Sequence, residues 1–397
     1  MKNFFLKSDF FYDSNNIEDY IQLILSDMIN GLKTKGKKSG QQMFRTFKLP
    51  VQKNPINENV IVIDAGGTNF RSCLVSFNSE GKANISNLEK TSMPAIKTEL
   101  SKKDFFAQIA NNISRLKNKS NKIAFCFSYA MEILENGDGK VLSLAKEVKA
   151  PEVVGCCVGK ELKKELYKQG WNKIEKIVLL NDTVAALNAA AIFDCEKKYE
   201  SYLGFILGTG MNVAYVEKEL AQIIVCETGK CNTIPQSKID IGFDLTTATP
   251  KDYIFEKMCS GGYLPALILY ALKKAFEVGL ISQSELPSSN FSMTDANYIL
   301  QENIESNISK IIDKFFERSA VLSACAVAAT VIKAVGNFTP EKPIGILCNG
   351  TTFYKTYKTK ERFENVLDNV LRKKRNINFE LLQIENDIIL GTAATVF

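Results

Sequence analysis

One octapeptide, Asp64-Ala65-Gly66-Gly67-Thr68-Asn69-Phe70-Arg71, constrains this chain more than any other stretch. An apolar run over residues 59–63 feeds into it, and a second over 72–77 leaves it. That order reads as a buried strand, a tight glycine turn and a returning strand. The turn carries an acid, a hydroxyl and a cation, the equipment for holding a polyphosphate. Its two glycines let backbone N–H groups approach phosphate oxygens, and Asp64 can hold Mg²⁺, usually through water. The plain alternative is a hairpin with a polar tip.

The design recurs once. Residues 203–207 enter Gly208-Thr209-Gly210, and residues 211–216 leave it. The chain therefore reads as two copies of a βββαβα-like unit, each opening on a phosphate-sized turn. Between the two turns the pattern predicts strands at 59–66, 69–78 and 83–93, a helix at 101–117, a buried strand at 122–127 and a helix at 157–169. A strand at 176–180 then ends in Asn181-Asp182-Thr183, where a helix of small residues starts. Beyond the second turn, helices are expected at about 250–282, 294–312, 315–335 and 359–374, with strands at 344–347 and 378–381. Ahead of the first turn, Ile17, Tyr20, Ile21, Ile24, Met28 and Leu32 recur at helical spacing, and residues 33–50 read as a connecting segment.

The expected architecture is α/β, with two lobes and a cleft between them. Residues 1–50 would pack on the large lobe, 51–183 form the small lobe and 184–397 the large lobe, the last helix being free to return to the small lobe. Ligands belong at the loops that leave the strand ends, where the lobes face each other.

Composition narrows the chemistry. The 397 residues suit two domains, and a formal charge of +6 is modest. The basic tracts at 33–38 and 372–375 lack aromatic interleaving, which argues against nucleic-acid binding. No secretory signal is visible, and the apolar stretch 320–332 is too short to span a bilayer, so a cytoplasmic protein with no transmembrane segment is expected. The ten cysteines include no CxxC pair and read as reduced core residues. There is no histidine. Every mechanism that needs an imidazole is thereby excluded, and a general base must be a carboxylate, Lys, Tyr or Cys. Asp182 is the best placed, at the end of a buried strand and the start of a helix. Asn181 or Asp182 can equally serve as the cap of that helix.

Four segments resemble motifs of the eukaryotic-type hexokinase family, in that family's order and near its spacing. They are Ile63-Asp64-Ala65-Gly66-Gly67-Thr68-Asn69-Phe70-Arg71, Leu180-Asn181-Asp182-Thr183-Val184, Gly208-Thr209-Gly210-Met211-Asn212-Val213-Ala214-Tyr215 and Phe255-Glu256-Lys257-Met258-Cys259-Ser260-Gly261-Gly262-Tyr263-Leu264. The likeness runs from about Met43 to the C-terminus. It implies the two-lobed, actin-like ATPase (ribonuclease H-like) fold and ATP-dependent phosphorylation of a hexose at its 6-hydroxyl. For glucose this gives glucose 6-phosphate, the entry step of glycolysis.

By the same resemblance Asp182 is the catalytic base, and Lys146 supports the moving phosphoryl group and the sugar. Ser128, Asn181, Asn212, Glu227 and Glu256 match positions that bond sugar hydroxyls. ATP is expected on Asp64, Gly66, Gly67, Thr68, Asn69 and Arg71 from one lobe and Gly208, Thr209, Gly210, Gly350 and Thr351 from the other, with Mg²⁺ on Asp64. Arg71 could instead anchor its hairpin. The implied partners are a hexose and ATP, and a homodimer is left open.

The chain also departs from the family pattern. Ser-Phe-Pro is Ser128-Tyr129-Ala130, Thr-Lys-Gly-Phe is Ala145-Lys146-Glu147-Val148, and Thr228 replaces a Trp. On the nucleotide side, Asp-Gly-Ser/Thr is Asn349-Gly350-Thr351, and a Gly-Ser-Gly stretch is Ile388-Ile389-Leu390-Gly391. These changes keep open a non-catalytic, sugar-binding or regulatory relative. Another ATPase of the actin-like class would need the glycine turns but not Asn212, Glu227 and Glu256 together.

Overall fold

The computed structural model describes residues 4–5, 16–34, 39–144, 148–194, 196–302, 305–337 and 339–397. The first unit opens with β2 (Glu58–Gly66), β3 (Asn69–Phe77) and β4 (Ala83–Ser92), preceded by a two-residue strand β1 (Phe44–Arg45). Helix α2 (Lys102–Asn112) leads to β5 (Lys122–Phe127), a small hairpin of β6 (Met131–Ile133) and β7 (Gly139–Val141), α3 (Val158–Lys168), β8 (Lys176–Leu180) and α4 (Asp182–Phe193). Helix α1 (Ile17–Thr34) lies ahead of all of these.

The second unit repeats the plan with β9 (Ser201–Leu207), β10 (Met211–Glu217) and β11 (Gln222–Val225). An insertion of α5 (Lys238–Asp244), α6 (Ile254–Cys259), α7 (Leu264–Glu277) and α8 (Met293–Glu302) precedes the long α9 (Asn307–Val335). Then come β12 (Ile344–Asn349), α10 (Thr351–Lys355), α11 (Thr359–Leu367), β13 (Phe379–Leu382) and α12 (Asp387–Ala394).

The two sheets are copies of each other. One has the order β4-β3-β2-β5-β8 and the other β11-β10-β9-β12-β13, with β1 added beside β11. In both, the first three strands pair antiparallel and the last two run parallel to the first. Each unit runs one strand and one helix beyond βββαβα. β5 buries all but Lys122, and β2 buries the run Val60–Ile63 and Ala65, because helices cover both faces of a sheet with parallel strands.

Helix α1 turns Tyr20, Ile21, Ile24 and Met28 into the large-lobe core, beside Phe205, Val213 and the buried face of α9. Among the described residues, α9 alone is long and apolar enough to cross a membrane, and it is enclosed within the protein. The two central helices, α4 and α12, pass so closely that a Cβ on Gly391 would lie 1.8 Å from the Ala185 carbonyl oxygen. That contact explains the small residues on both helices. α12 then packs Ile389, Leu390, Ala393 and Ala394 against Val60, Val62, Cys73 and Ala124 of the small-lobe sheet. All nine described cysteines are free thiols.

Several boundaries differ from those the periodicity predicts. The helix expected over 250–282 is two helices, because the N–H groups of Gly261 and Gly262 donate to the carbonyls of Gly208 and Thr209 at 2.9 and 3.0 Å. The break expected near 313 falls instead before Asn307, where Ser306 caps α9 by accepting from Ser309 N–H. Residues 33–50 are not merely a connector, since Phe44 and Arg45 pair with Val225 and Ile224.

Candidate active site

The two glycine turns are built differently. In the first, Asp64 and Arg71 are cross-strand partners, and an Arg71 Nη1 donates to Asp64 Oδ2 at 3.3 Å. Arg71 thus anchors the hairpin through the acid expected to hold the metal. Gly67, Thr68 and Asn69 are exposed at the tip, with Gly67 at φ 56°. Gly66 lies against the next loop, where a Cβ on it would sit 2.9 Å from Ser128 Cβ. Burial pushes the Asp64 carboxyl up, while Arg71 pulls it back in part.

The second turn closes on itself, Gly208 N–H donating to the Gly210 carbonyl at 2.9 Å. Its Gly208 carbonyl also accepts from Gly261 N–H and from the Thr352 hydroxyl at 2.8 Å. Gly350, at φ 116°, leans on the end of β9, where a Cβ would lie 2.1 Å from the Leu207 carbonyl oxygen. Gly350 and Thr351 are therefore brought to the second turn. The neighbouring Asn349 donates its amide to both oxygens of Asp387, at 2.8 and 2.6 Å.

Between the turns lies a group of carboxylates. Asp182, half-buried at the first turn of α4, accepts from Thr183 N–H at 2.9 Å. Burial, and then the charge of Asp64, push its carboxyl up to about 6, against hydrogen bonds from Ser128 and the backbone. Glu227 is pushed up to about 6 by burial and also feels Asp182. Glu256 is pushed up to about 7, chiefly by burial, although Met211 N–H donates to its Oε2 at 2.9 Å. Asn212 donates to Glu227 Oε1 at 3.2 Å, while its own oxygen accepts from Val213 and Thr228 N–H. Ser128, Asp182, Asn212, Glu227 and Glu256 thus converge in one cluster, with Asp64 beside Asp182.

Asn181 does cap α4. Its Oδ1 accepts from Thr183 N–H at 2.9 Å and from the Thr183 hydroxyl at 2.5 Å, so its amide donors are what it can offer a ligand. Lys146 lies outside the described residues.

Sequence reasoning missed Lys230 and Tyr253. The Lys230 ammonium sits 4.6 Å over the Tyr253 ring and 4.0 Å from Asp252, and its charge favours the ionised forms of Glu227 and Glu256. Its place three residues after Glu227 was the available signal. Tyr253 has a left-handed backbone, φ 52°, and reaches toward Ser143 of the small lobe.

Two family models, each described as Hexokinase, match this chain, one over residues 5–192 and the other over 202–397. The hexokinase of Schistosoma mansoni is 24% identical over 91% of this chain and 89% of its own length. Hexokinase-1 of Schizosaccharomyces pombe is 25% identical over 84% of this chain and 78% of its own. A solved structure of the Schistosoma mansoni hexokinase complexed with glucose superposes with a TM-score of 0.80 at 21% identity, covering 100% of this chain and 99% of that one. A ROK family glucokinase from Streptomyces griseus, in complex with glucose and AMPPNP, gives 0.52 at 13% identity over 85% and 99%.

The duplicated sheets are those of the actin-like ATPase fold, and the family matches make the chain a sugar-phosphorylating enzyme of that fold. Within that class the chain belongs to the eukaryotic-type hexokinase family and is a phosphotransferase.

Proposed function

We propose that this enzyme transfers the γ-phosphoryl group of ATP to the 6-hydroxyl of glucose, the entry step of glycolysis. The observation that carries this reading is the placement of Asp182. It stands at the end of β8 between the acid of the phosphate turn and the acids of the pocket, with its carboxyl pushed up to about 6. A base poised near neutrality can accept the hydroxyl proton as the oxygen attacks phosphorus. Glucose and AMPPNP in the related structures support the choice of sugar and nucleotide.

Glu227, Glu256, Ser128 and the amides of Asn181 and Asn212 offer the acceptors and donors that a hexose demands of its pocket. Sugars lacking a hydroxyl would leave such groups unpaired and be rejected. The backbone around Gly67 and Gly210, with Thr209, would bind phosphate oxygens, and little covalent work then falls to the protein. Asp64 suits Mg²⁺, since burial raises its carboxyl despite Arg71 and a divalent ion would satisfy it. Among the described residues no cluster of three potential ligands forms a protein-only metal cage, so Asp64 would share the ion with phosphate and water. Bound there, Mg²⁺ would neutralise charge on the phosphates.

The test is ADP release across glucose, mannose, fructose and glucosamine, for wild type and Asp182→Asn. We expect glucose-dependent turnover that falls by about 10²- to 10⁴-fold in the variant. Sugar binding without turnover would instead establish the non-catalytic relative, and an unaffected variant would remove Asp182 as base.

A further inference from the structure

The loop after β5 and the first glycine turn are tied together at three consecutive positions. Ser128 N–H donates to the Ala65 carbonyl at 2.9 Å. Gly66 packs against Ser128 so closely that no side chain fits between them. The Tyr129 hydroxyl then donates to the Gly67 carbonyl at 2.8 Å. Tyr129 is itself buried, its ring 4.6 Å from that of Phe127 and at 56° to it, so the hydroxyl is aimed by packing. On its other side the loop is continuous with the sugar side of the cleft. Ser128 hydrogen-bonds Asp182, and the Ala130 carbonyl accepts from Leu142 and Ser143 N–H.

The Gly67 carbonyl is the group of the exposed tip held by this loop, while the next carbonyl, that of Thr68, accepts from Met93 N–H at 3.0 Å. Gly67 itself meets nothing: a Cβ there would have no heavy atom within 4 Å. A left-handed residue with open space around it is free to reorient unless a hydrogen bond holds it. The orientation of the Gly67–Thr68 peptide, and with it of the Thr68 N–H, therefore depends on the Tyr129 hydroxyl, and Tyr129 moves with the loop that carries Ser128.

We propose that Tyr129 is a positioning residue that couples the two substrates: sugar seated against Ser128 fixes the loop, and the Tyr129–Gly67 hydrogen bond passes that order to the phosphate turn. The proposal rests on the kinase reading above. It makes hexose and nucleotide mutually tightening, and by linkage the same factor must appear whichever ligand is added first.

Tyr129→Phe removes only the hydroxyl and keeps the buried ring, so the variant should fold. Tyr167→Phe is the control. It removes a hydroxyl directed at the Ile174 carbonyl, at 3.4 Å, on the far side of the same lobe. The measurement is calorimetric titration of Mg·AMPPNP with and without saturating glucose, and of glucose with and without Mg·AMPPNP. Wild type and Tyr167→Phe should show mutual tightening of the two ligands. Tyr129→Phe should bind glucose alone as wild type does, while the tightening factor falls about five-fold, the effect of losing one hydrogen bond. Steady-state kinetics should then show a raised KM for ATP, with the KM for glucose measured at low ATP unchanged. Full tightening in Tyr129→Phe would overturn the proposal and leave the kinase reading intact. A wild type that binds both ligands without tightening would do the same. A wild type that binds neither would overturn both.

Discussion

The two glycine turns share a place in duplicated sheets, yet they are secured to different degrees. The large-lobe turn is bolted by neighbouring elements. Gly261 and Gly262 donate backbone bonds to it, Thr352 adds a hydroxyl, and Gly350 presses on the strand that leads into it. Beside it, the small-lobe turn is exposed at Gly67, Thr68 and Asn69; Met93 N–H holds the Thr68 carbonyl, and the side chains of Tyr129 and Arg71 supply the remaining ties at the tip and its base. Duplication supplies a fixed platform and an adjustable arm. The arm carries Asp64 and belongs to the lobe whose loop also holds Ser128, so on the kinase reading proposed above adjustment falls where sugar and phosphate would meet.

The sharpest test of this contrast is a matched pair of glycine substitutions. Gly350→Ala forces a Cβ to within 2.1 Å of a backbone oxygen. It should cost about 3 kcal/mol of stability or more, since backbone cannot move aside cheaply. Gly67→Ala meets open space and faces only the left-handed backbone, worth about 1 kcal/mol. Chemical denaturation should rank them so, whereas kinetics should rank them in reverse once the Gly350 variant is assayed below its melting temperature. Equal stability losses would dissolve the distinction between platform and arm.

Much of this was legible in the chain. The strand–turn–strand runs at Asp64 and Gly208 announce themselves, because buried strands need uninterrupted apolar residues and tight turns need glycine. β11 did not, since four buried residues have no period to read, and β1 at two residues has less. α12 is enclosed on all sides, so it shows no amphipathic stripe. The break at Ser260–Tyr263 depends on bonds to Gly208 and Thr209, some fifty residues earlier in the chain, which no local pattern encodes. In the site, Asp182 could be argued from its strand end. Glu227 and Glu256 could not be told from surface acids until motif order placed them, and only the fold brought Lys230 to them.

A second test moves from the turns to the pocket between them. Glu256 has a folded-state carboxyl near 7 against an ordinary 4.5. Its contribution to stability is therefore fully present below about pH 4.5 and lost as pH rises through 7, because the fold then holds a desolvated charge. Glu256→Gln keeps an acceptor for Met211 N–H and removes that charge. The sugar-free variant should be more stable to chemical denaturation than wild type at pH 8, by about 1–2 kcal/mol, with the gap closing toward pH 4. Glucose binding should weaken in the same variant. A gap independent of pH would mean that Glu256 ionises without strain.

The smallest expected effect concerns Lys230. Its side chain is largely buried, and its charge pulls down the carboxyls of Glu227 and Glu256 against the burial that raises them. Lys230→Met keeps the apolar stem over Tyr253 and deletes the charge. Both carboxyls should then rise further, and the pH midpoint for glucose affinity should shift upward by about a few tenths of a unit. Affinity at pH 8.5, where both acids are ionised in either protein, should change little. Gly210 of the large-lobe turn borders Glu256, where a Cβ on it would lie 2.8 Å from Oε2, but Lys230→Met leaves that contact in place, so the KM for ATP should hold. A shift in the ATP midpoint instead would mean that Lys230 acts on the adjustable arm rather than on the sugar acids.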